Sequence, residues 1–395
     1  MITARRSVFN GPAVVTPARR RRHVVSLSAV TWDFGLVGRT RMLTEAWLRQ
    51  NHPTLFVQIP SMRTALEKII APLRAPSNAP VVRPWPIYPS RWWNPNNESR
   101  LRRAIKRRGA SLRRQMAKKL DFQEATAVVV SPIWTPWLEQ LPFKHVVYDC
   151  IDDVAVHVSR PRLTSLMKKW EDELIQRASG AVVTSEMLGD DLRQRRADLP
   201  ISTIRNGVDV DRFERLAAAA ARPTDLPNGE RPIVGFVGAL YDWIDWKLIA
   251  EACLAMPDCD FVLVGPSDKR FDDCDARLAK NAYFYGARLY SEVPAYMRAF
   301  DVCWTPFDQS RVSRAANPVK IYEYLAMGKP VVTTPVADTD KFDDLVRVGV
   351  DRAEIIEHLR AALTEEPRVE ERKAFARANS WDVRAAEYVS FIQGL

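Results

Sequence analysis

The chain has 395 residues, 47% of them apolar, and only 15 glycines, so it is long enough for two domains with substantial cores. Its net charge of +10 is divided unevenly: residues 1–120 hold 24 Lys and Arg against 4 Asp and Glu, and the remainder 34 against 44. Such polarity suits one face meeting an anionic surface, while five cysteines without a CxxC pair exclude a disulfide framework or a structural zinc site and fit a reducing compartment.

No apolar run approaches the roughly 20 residues that span a bilayer; the longest, Ala125 to Leu138, is broken by Pro132 and Pro136. Residues 1–22 read as a disordered basic tail, because the stretch after Arg5-Arg6 is too short and Pro-rich for an export signal. A strand from His23 to Val30, a loop, a helix to Arg49 and a strand from Leu55 to Ile59 open a doubly wound sheet, whose ligands gather at the carboxyl ends of the strands. Gly35 and Gly38 do not form a GxGxxG fingerprint.

Residues 75–99, with Trp85, Trp92 and Trp93, read as an extended loop. The following helix, Leu101 to Leu120, sets Leu101, Ile105, Leu112, Met116 and Leu120 against a face of nine Arg and Lys residues. That pattern predicts a basic amphipathic helix at an anionic membrane surface, with Arg102, Arg103, Lys106, Arg107, Trp92 and Trp93 as candidate acceptor or membrane contacts. No nucleic-acid module accompanies the charge, so no nucleic-acid partner is expected.

Strands are expected at Ala125–Val130, Lys144–Asp149 and Gly180–Thr184, with a helix from Thr164 to Ala178 between the last two. A linker follows at Ala217–Pro227, and a second doubly wound unit has strands at Pro232–Gly238, Phe261–Gly265, Ala282–Gly286, Val302–Pro306 and Val331–Thr334. The fold class is α/β, two doubly wound, Rossmann-like parallel-sheet domains facing a cleft.

Within the second unit, Gly238 ends a strand where backbone approaches a diphosphate closely, and Gly286 and Arg288 end another. Asn317 is a candidate N-cap and Pro318 a first helical residue, with Gly328 ending the helix before the strand from Val331. Lys320 opposes the positive end of the helix dipole, a penalty that a bound diphosphate would reverse. Glu323, three residues on, lies on the same face, where a carboxylate accepts two hydrogen bonds from a ribose diol; a plain surface ion pair with Lys320 is the alternative. Arg311 and Arg314 precede this helix and suit a phosphate or an acidic sugar. In the first unit the strand at Val146–Asp149 ends in three carboxylates, Asp149, Asp152 and Asp153, all candidate general bases or helix-capping acids, with His157 and Asp33 as lesser candidates.

The segment Asn317–Thr334 resembles the donor-binding helix of GT-B glycosyltransferases, particularly the family 4-type, glycosyl transferases group 1-like proteins of bacterial polysaccharide assembly, and the resemblance is closest over residues 200–395. It implies that Glu323 holds the ribose and Lys320 faces the diphosphate of a UDP- or GDP-linked sugar, that Gly286 and Arg288 lie at the base, and that Ser202–Asp209 crosses between domains. It divides the chain into an acceptor-binding domain (23–208), a linker (209–230), a nucleotide-sugar domain (231–375) and a helix returning to the first domain (376–395).

Retaining members carry a further glutamate eight residues before the ribose-binding one; here that position is Ala315. The segment Val146–Asp153 is similar to one in inverting exopolysaccharide glucuronosyltransferases, which makes Asp152 the catalytic base by position. DxD-like pairs at Asp209/Asp211, Asp258/Asp260, Asp273/Asp275 and Asp338/Asp340 are expected to arise by chance, so no metal and no cofactor beyond the nucleotide sugar is predicted. The expected activity is transfer of a sugar to a lipid-linked saccharide at the cytoplasmic face of the membrane; a nucleotide-sugar epimerase and a non-catalytic nucleotide-sugar-binding subunit are the alternatives.

Overall fold

The computed structural model describes residues 22–32, 38–58, 81–82, 97–153, 161–227, 229–267 and 279–395. The expected basic tail before Arg22, and Asp33, Trp85, Trp92, Trp93 and His157, lie outside the described residues.

The first sheet contains β1 (His23–Ser28), β2 (Thr54–Gln58), β3 (Val81–Val82), β4 (Ala125–Val129), β5 (His145–Cys150), β6 (Gly180–Val183) and β7 (Ile201–Thr203). Its order is β3-β2-β1-β4-β5-β6-β7 and every pairing is parallel. The register runs Val25 opposite Leu55 on one side and Ala127 on the other. Strands such as Ala-Thr-Ala-Val-Val are buried throughout, the signature of a sheet covered by helices on both faces. Val81–Val82 pairs with β2 inside a stretch expected to be loop; two residues are too few to carry a periodic signal.

The second sheet contains β8 (Ile233–Val237), β9 (Asp260–Val264), β10 (Ala282–Phe284), β11 (Val302–Thr305), β12 (Val331–Thr333) and β13 (Val346–Val348), ordered β10-β9-β8-β11-β12-β13. All of its pairings are parallel too. In both sheets the order reverses beside the first strand, between β1 and β4 and between β8 and β11, and open α/β sheets bind ligands at such switch points.

Eight helices matter for the site: α1 (Arg39–Arg49), α2 (Glu98–Met116), α3 (Pro161–Arg177), α4 (Glu186–Arg195), α5 (Val210–Ala219), α6 (Arg311–Ala315), α7 (Val319–Ala326) and α8 (Trp381–Gly394). Helix α5 occupies much of the stretch expected to be linker; Asp209 caps it by accepting from the Arg212 N–H, and Phe213 is buried in the core of the second sheet.

Helix α8 packs on the first sheet. Trp381, Ala385, Tyr388 and Ile392 share a core with Val24, Met42, Leu43 and Trp47. The Trp47 Nε1–H donates to the Ala385 carbonyl at 3.1 Å, and its ring meets Tyr388 edge-on at 5.3 Å. Burying such side chains stabilises by about 1.5–3 kcal/mol each, which fixes α8, and the chain crossing beside it, to α1.

The basic helix α2 differs from its expectation. Leu101, Ile105, Leu112 and Met116 are buried in the core of the first sheet, so the apolar stripe serves the fold and leaves nothing to insert into lipid. Arg102 is turned inward: it pairs with Glu98 at 2.8 Å, Glu139 at 2.5 Å and Glu173 at 2.6 Å. Lys169 also pairs with Glu98 at 2.7 Å. Burial works against the Glu98 carboxylate, yet hydrogen bonds from Lys169, Arg102 and Trp170 hold its pKa down to about 2. Arg102 is therefore a structural strut, a correction to its expected place at an acceptor or membrane surface. Arg103, Lys106 and Arg107 are exposed.

Candidate nucleotide-sugar site

Helix α7 begins at the carboxyl side of the second sheet, and its entry differs from the expected one. Pro318, not Asn317, occupies the N-cap position, and no side chain caps the helix. Asn317 is drawn away by the inter-domain crossing: its Oδ1 accepts from the Asn206 backbone N–H at 2.8 Å, and its carbonyl accepts from Asn206 Nδ2 at 2.6 Å. Its Nδ2 donates to the Tyr322 hydroxyl at 3.2 Å. The start of α7 is thus left uncapped, and an uncapped helix start is a ready anion site.

Glu323 is 1% exposed. Its Oε2 meets Lys320 Nζ at 2.6 Å and its Oε1 accepts from the Tyr290 hydroxyl at 3.2 Å. Burial, followed by the Glu323 carboxylate, pushes the Tyr290 phenol well above its ordinary pKa, so it stays a donor. A buried carboxylate held by two donors is not the exposed surface pair that was the alternative. Further along α7, the Tyr324 hydroxyl accepts from the Val237 N–H at 2.9 Å, tying the helix to the end of β8.

At that end Gly238 donates to the Val264 carbonyl at 2.9 Å. A Cβ on Gly265 would stand 1.7 Å from the Gly238 carbonyl oxygen, so only glycine allows the two strand ends to close together. The Val237–Ala239 and Val264–Pro266 turns, Arg288, Tyr290, Val293, Val319, Lys320 and Glu323 line a cavity of about 190 Å³. Arg288 enters it already engaged, pairing with Asp225 at 2.8 Å and donating to the Tyr296 hydroxyl at 2.8 Å. Gly286 adopts φ +59 with open space beside it, and is not part of that wall.

A second cavity, of about 300 Å³, adjoins the first through Gly238, Ala239, Val319 and Lys320, and its far wall belongs to the other sheet: Arg39, Ile151, Asp152 and Asn206. Trp243 and Phe307 give it an apolar side. Asp152 is half-buried and also borders a third, highly charged cavity of about 310 Å³ with Glu171, Asp172, Asp191 and Arg195.

The neighbouring carboxylates are committed elsewhere. Asp149 is fully buried and paired with Arg39 at 3.1 Å, which removes it as a candidate base. Asp153 lies 3.5 Å from Arg311, which also pairs with Asp191.

Arg314 is exposed and lines a separate depression with Asp190 and Asp191, so its expected place at the donor is corrected. Ala315, where retaining relatives carry a glutamate, is 3% exposed, and its carbonyl accepts from Ser185 Oγ at 2.8 Å. Among the described residues no group of three or more His, Cys, Asp or Glu side chains is arranged to hold a metal ion, and no helix is long and apolar enough to cross a membrane.

Sequence reasoning passed over Gly265, Tyr290, Arg39, Asn206 and Trp243. Gly265 had a signal, as the glycine closing the strand next to Gly238. Tyr290, Arg39 and Asn206 lie far in sequence from what they touch, Arg39 and Asp149 being 110 residues apart, while Trp243 bonds locally to the Ala239 carbonyl.

Two parallel, doubly wound sheets whose strand ends face one cleft define a GT-B architecture. A family model described as "Glycosyltransferase Family 4" matches residues 35–212, and one described as "Glycosyl transferases group 1" matches residues 231–365. The chain belongs to these group 1 glycosyltransferases.

It is 34% identical over 206 residues to TuaH of Bacillus subtilis (strain 168), named for teichuronic acid biosynthesis, covering 50% of this chain and 52% of that protein. It is 28% identical over 182 residues to the 2-deoxystreptamine glucosyltransferase of Streptomyces kanamyceticus, covering 43% and 45%. The chain thus spans about half the length of the curated relatives it matches.

Among solved structures, sucrose-phosphate synthase from Thermosynechococcus elongatus superposes with TM-score 0.70 at 15% identity, covering 95% of this chain and 99% of the other. HepE of Anabaena, in complex with UDP and glucose, superposes with TM-score 0.67 at 16% identity, covering 95% and 100%. Both share the fold.

Proposed function

We propose that the chain is a glycosyltransferase that moves a sugar from a UDP- or GDP-linked donor to a lipid-linked saccharide in cell-envelope or exopolysaccharide synthesis, without a metal, at the cytoplasmic face of the membrane. The observation that carries this reading is the pair of adjoining cavities: Glu323 and Tyr290 at one end, Gly238 and the uncapped start of α7 at the junction, and Asp152 at the other end. A nucleotide sugar laid along them puts its ribose at Glu323, its diphosphate at Lys320 and its sugar before Asp152. The names of TuaH and of the UDP-bound HepE support the polysaccharide context and the donor class.

In the reaction, the bond from the anomeric carbon to the diphosphate breaks while a bond from the acceptor oxygen to that carbon forms. The acceptor proton passes to the Asp152 carboxylate, and the leaving diphosphate takes the electron pair. Its charge is met by the α7 amino end and Lys320, fixed donors that need no reorganisation as charge develops. Ala315 supplies no carboxylate on the donor side, which favours single displacement with Asp152 as base over a retaining route.

The exposed Arg103, Lys106 and Arg107 of α2 are the membrane-facing charges in this reading, held by screened attraction to anionic lipid rather than by insertion. Incubating the protein with radiolabelled UDP- and GDP-sugars and membrane extract tests the activity. We expect label in lipid for the intact protein, undiminished by EDTA. The Asp152→Asn protein should bind donor within twofold of normal while transfer falls about 10²–10⁴-fold; normal turnover by this variant removes Asp152 from the mechanism.

A further inference from the structure

Arg39, the first residue of α1, is 4% exposed and lines the central cavity between the two sheets. Its four hydrogen bonds are internal: Nε donates to both Asp149 oxygens at 3.1–3.2 Å, and Nη1 donates to the Arg205 carbonyl at 3.0 Å and to Asn206 Oδ1 at 3.2 Å. Nη2 has no hydrogen-bond partner and is shielded from solvent. Buried polar groups in folded proteins are almost always paired, so an orphan donor on a residue that lines a cavity calls for an explanation.

Resting on the nucleotide-sugar reading, we propose that Arg39 is a specificity-determining residue whose Nη2–H donates to a hydroxyl oxygen of the sugar being transferred. Place and charge both favour this assignment. Of the cavities described above, Arg39 borders the second and not the first, past the junction formed by Gly238 and Lys320, so the base and ribose lie out of its reach. Asp152 stands on the same wall, and the space between a diphosphate and the base that receives the acceptor proton is where the sugar ring sits.

Asp149 already neutralises the guanidinium, and Asp152 would repel a carboxylate placed nearby. The pocket therefore suits a neutral hexose. Trp243 and Phe307 on the apolar side suit the ring face of such a sugar. The neighbours of Arg39 also set its rigidity: Asn206 is clamped by Asn317, and its carbonyl accepts from Arg384 at 3.2 Å, so the guanidinium is held in place before any ligand arrives.

The test is calorimetric binding of UDP, UDP-glucose, UDP-N-acetylglucosamine, GDP and GDP-mannose to the intact and Arg39→Lys proteins. Lysine keeps one bond to Asp149 but lacks the planar fork. For the nucleotide that the intact protein binds, Arg39→Lys should bind the free diphosphate within twofold of normal. It should also lose about tenfold or more of the affinity that the sugar adds, the effect of one charge-assisted hydrogen bond.

An unchanged ratio of nucleotide-sugar to nucleotide affinity overturns the proposal, as does an intact protein whose affinity no sugar improves. If the ratio is unchanged but the acceptor KM rises, Arg39 reads the acceptor and the sugar assignment is wrong. An equal loss for free and sugar-linked nucleotide assigns Arg39 a purely structural role and likewise overturns it. Should Arg39→Lys melt far below the intact protein, the paired change Arg39→Gln with Asp149→Asn, which keeps a hydrogen bond and removes both buried charges, is measured in its place by the same ratio. Failure of the intact protein to bind any of the five ligands overturns the nucleotide-sugar reading itself, a separate result.

Discussion

Helices α2 and α7 both carry cations that the sequence marks for an external anion, and the fold treats them in opposite ways. In α2, Arg102 is ringed by Glu98, Glu139 and Glu173 of its own chain, and the apolar stripe lies in the core. In α7, Lys320 has one carboxylate partner, Glu323, and stands at an uncapped helix start where two cavities meet. The number of cations is greater in α2, yet the built site is at α7. What separates them is position: α7 begins beside the carboxyl end of β8, at the switch point of a parallel sheet, while α2 packs its apolar face against the first sheet.

The comparison breaks first at Gly265. If closure of the β8 and β9 ends makes α7 the binding helix, Gly265→Ala, whose Cβ would overlap the Gly238 carbonyl, should abolish nucleotide binding and lower stability by about 1–3 kcal/mol. Urea denaturation and calorimetry check both, and normal nucleotide affinity in that variant would show that the closure does not matter. Glu323→Ala is the next largest: nucleotide affinity should fall about 10- to 100-fold through loss of the ribose bonds, with little change for a ligand that lacks a ribose.

The smallest effects sharpen the α2 side. Arg102→Ala should destabilise the fold, an effect readable in thermal melting, and leave vesicle binding unchanged. Arg103→Ala should leave melting unchanged and weaken binding to vesicles of anionic lipid by about 1 kcal/mol at low salt, vanishing as salt is raised. The reverse pattern would return Arg102 to the surface.

The parts that sequence made legible were those whose physics is local. Continuous β-branched runs announced the strands, and Gly328, at φ +70, ended α7 where a glycine was expected. The Lys320 and Glu323 pair was legible because three residues on a helix share a face.

Two errors and one open choice share one cause. Asn317 has the chemistry of a cap, but its partner, Asn206, lies 111 residues away and takes it first. Arg102 looked solvated because Glu139 and Glu173 are 37 and 71 residues distant. Asp149 and Asp152 are indistinguishable as neighbours in sequence, and only the arrival of Arg39 from α1 shows which is buried in an ion pair. Each depends on which distant segment the topology delivers, which no window of sequence contains.

The central claim is that a diphosphate binds at the start of α7, and the most direct measurement is a crystal structure of the protein soaked with UDP or GDP. The account predicts phosphate oxygens within hydrogen-bond distance of the Val319 and Lys320 backbone N–H groups and of Lys320 Nζ, with the ribose diol on Glu323. A nucleotide bound elsewhere, with the start of α7 unliganded, would contradict it.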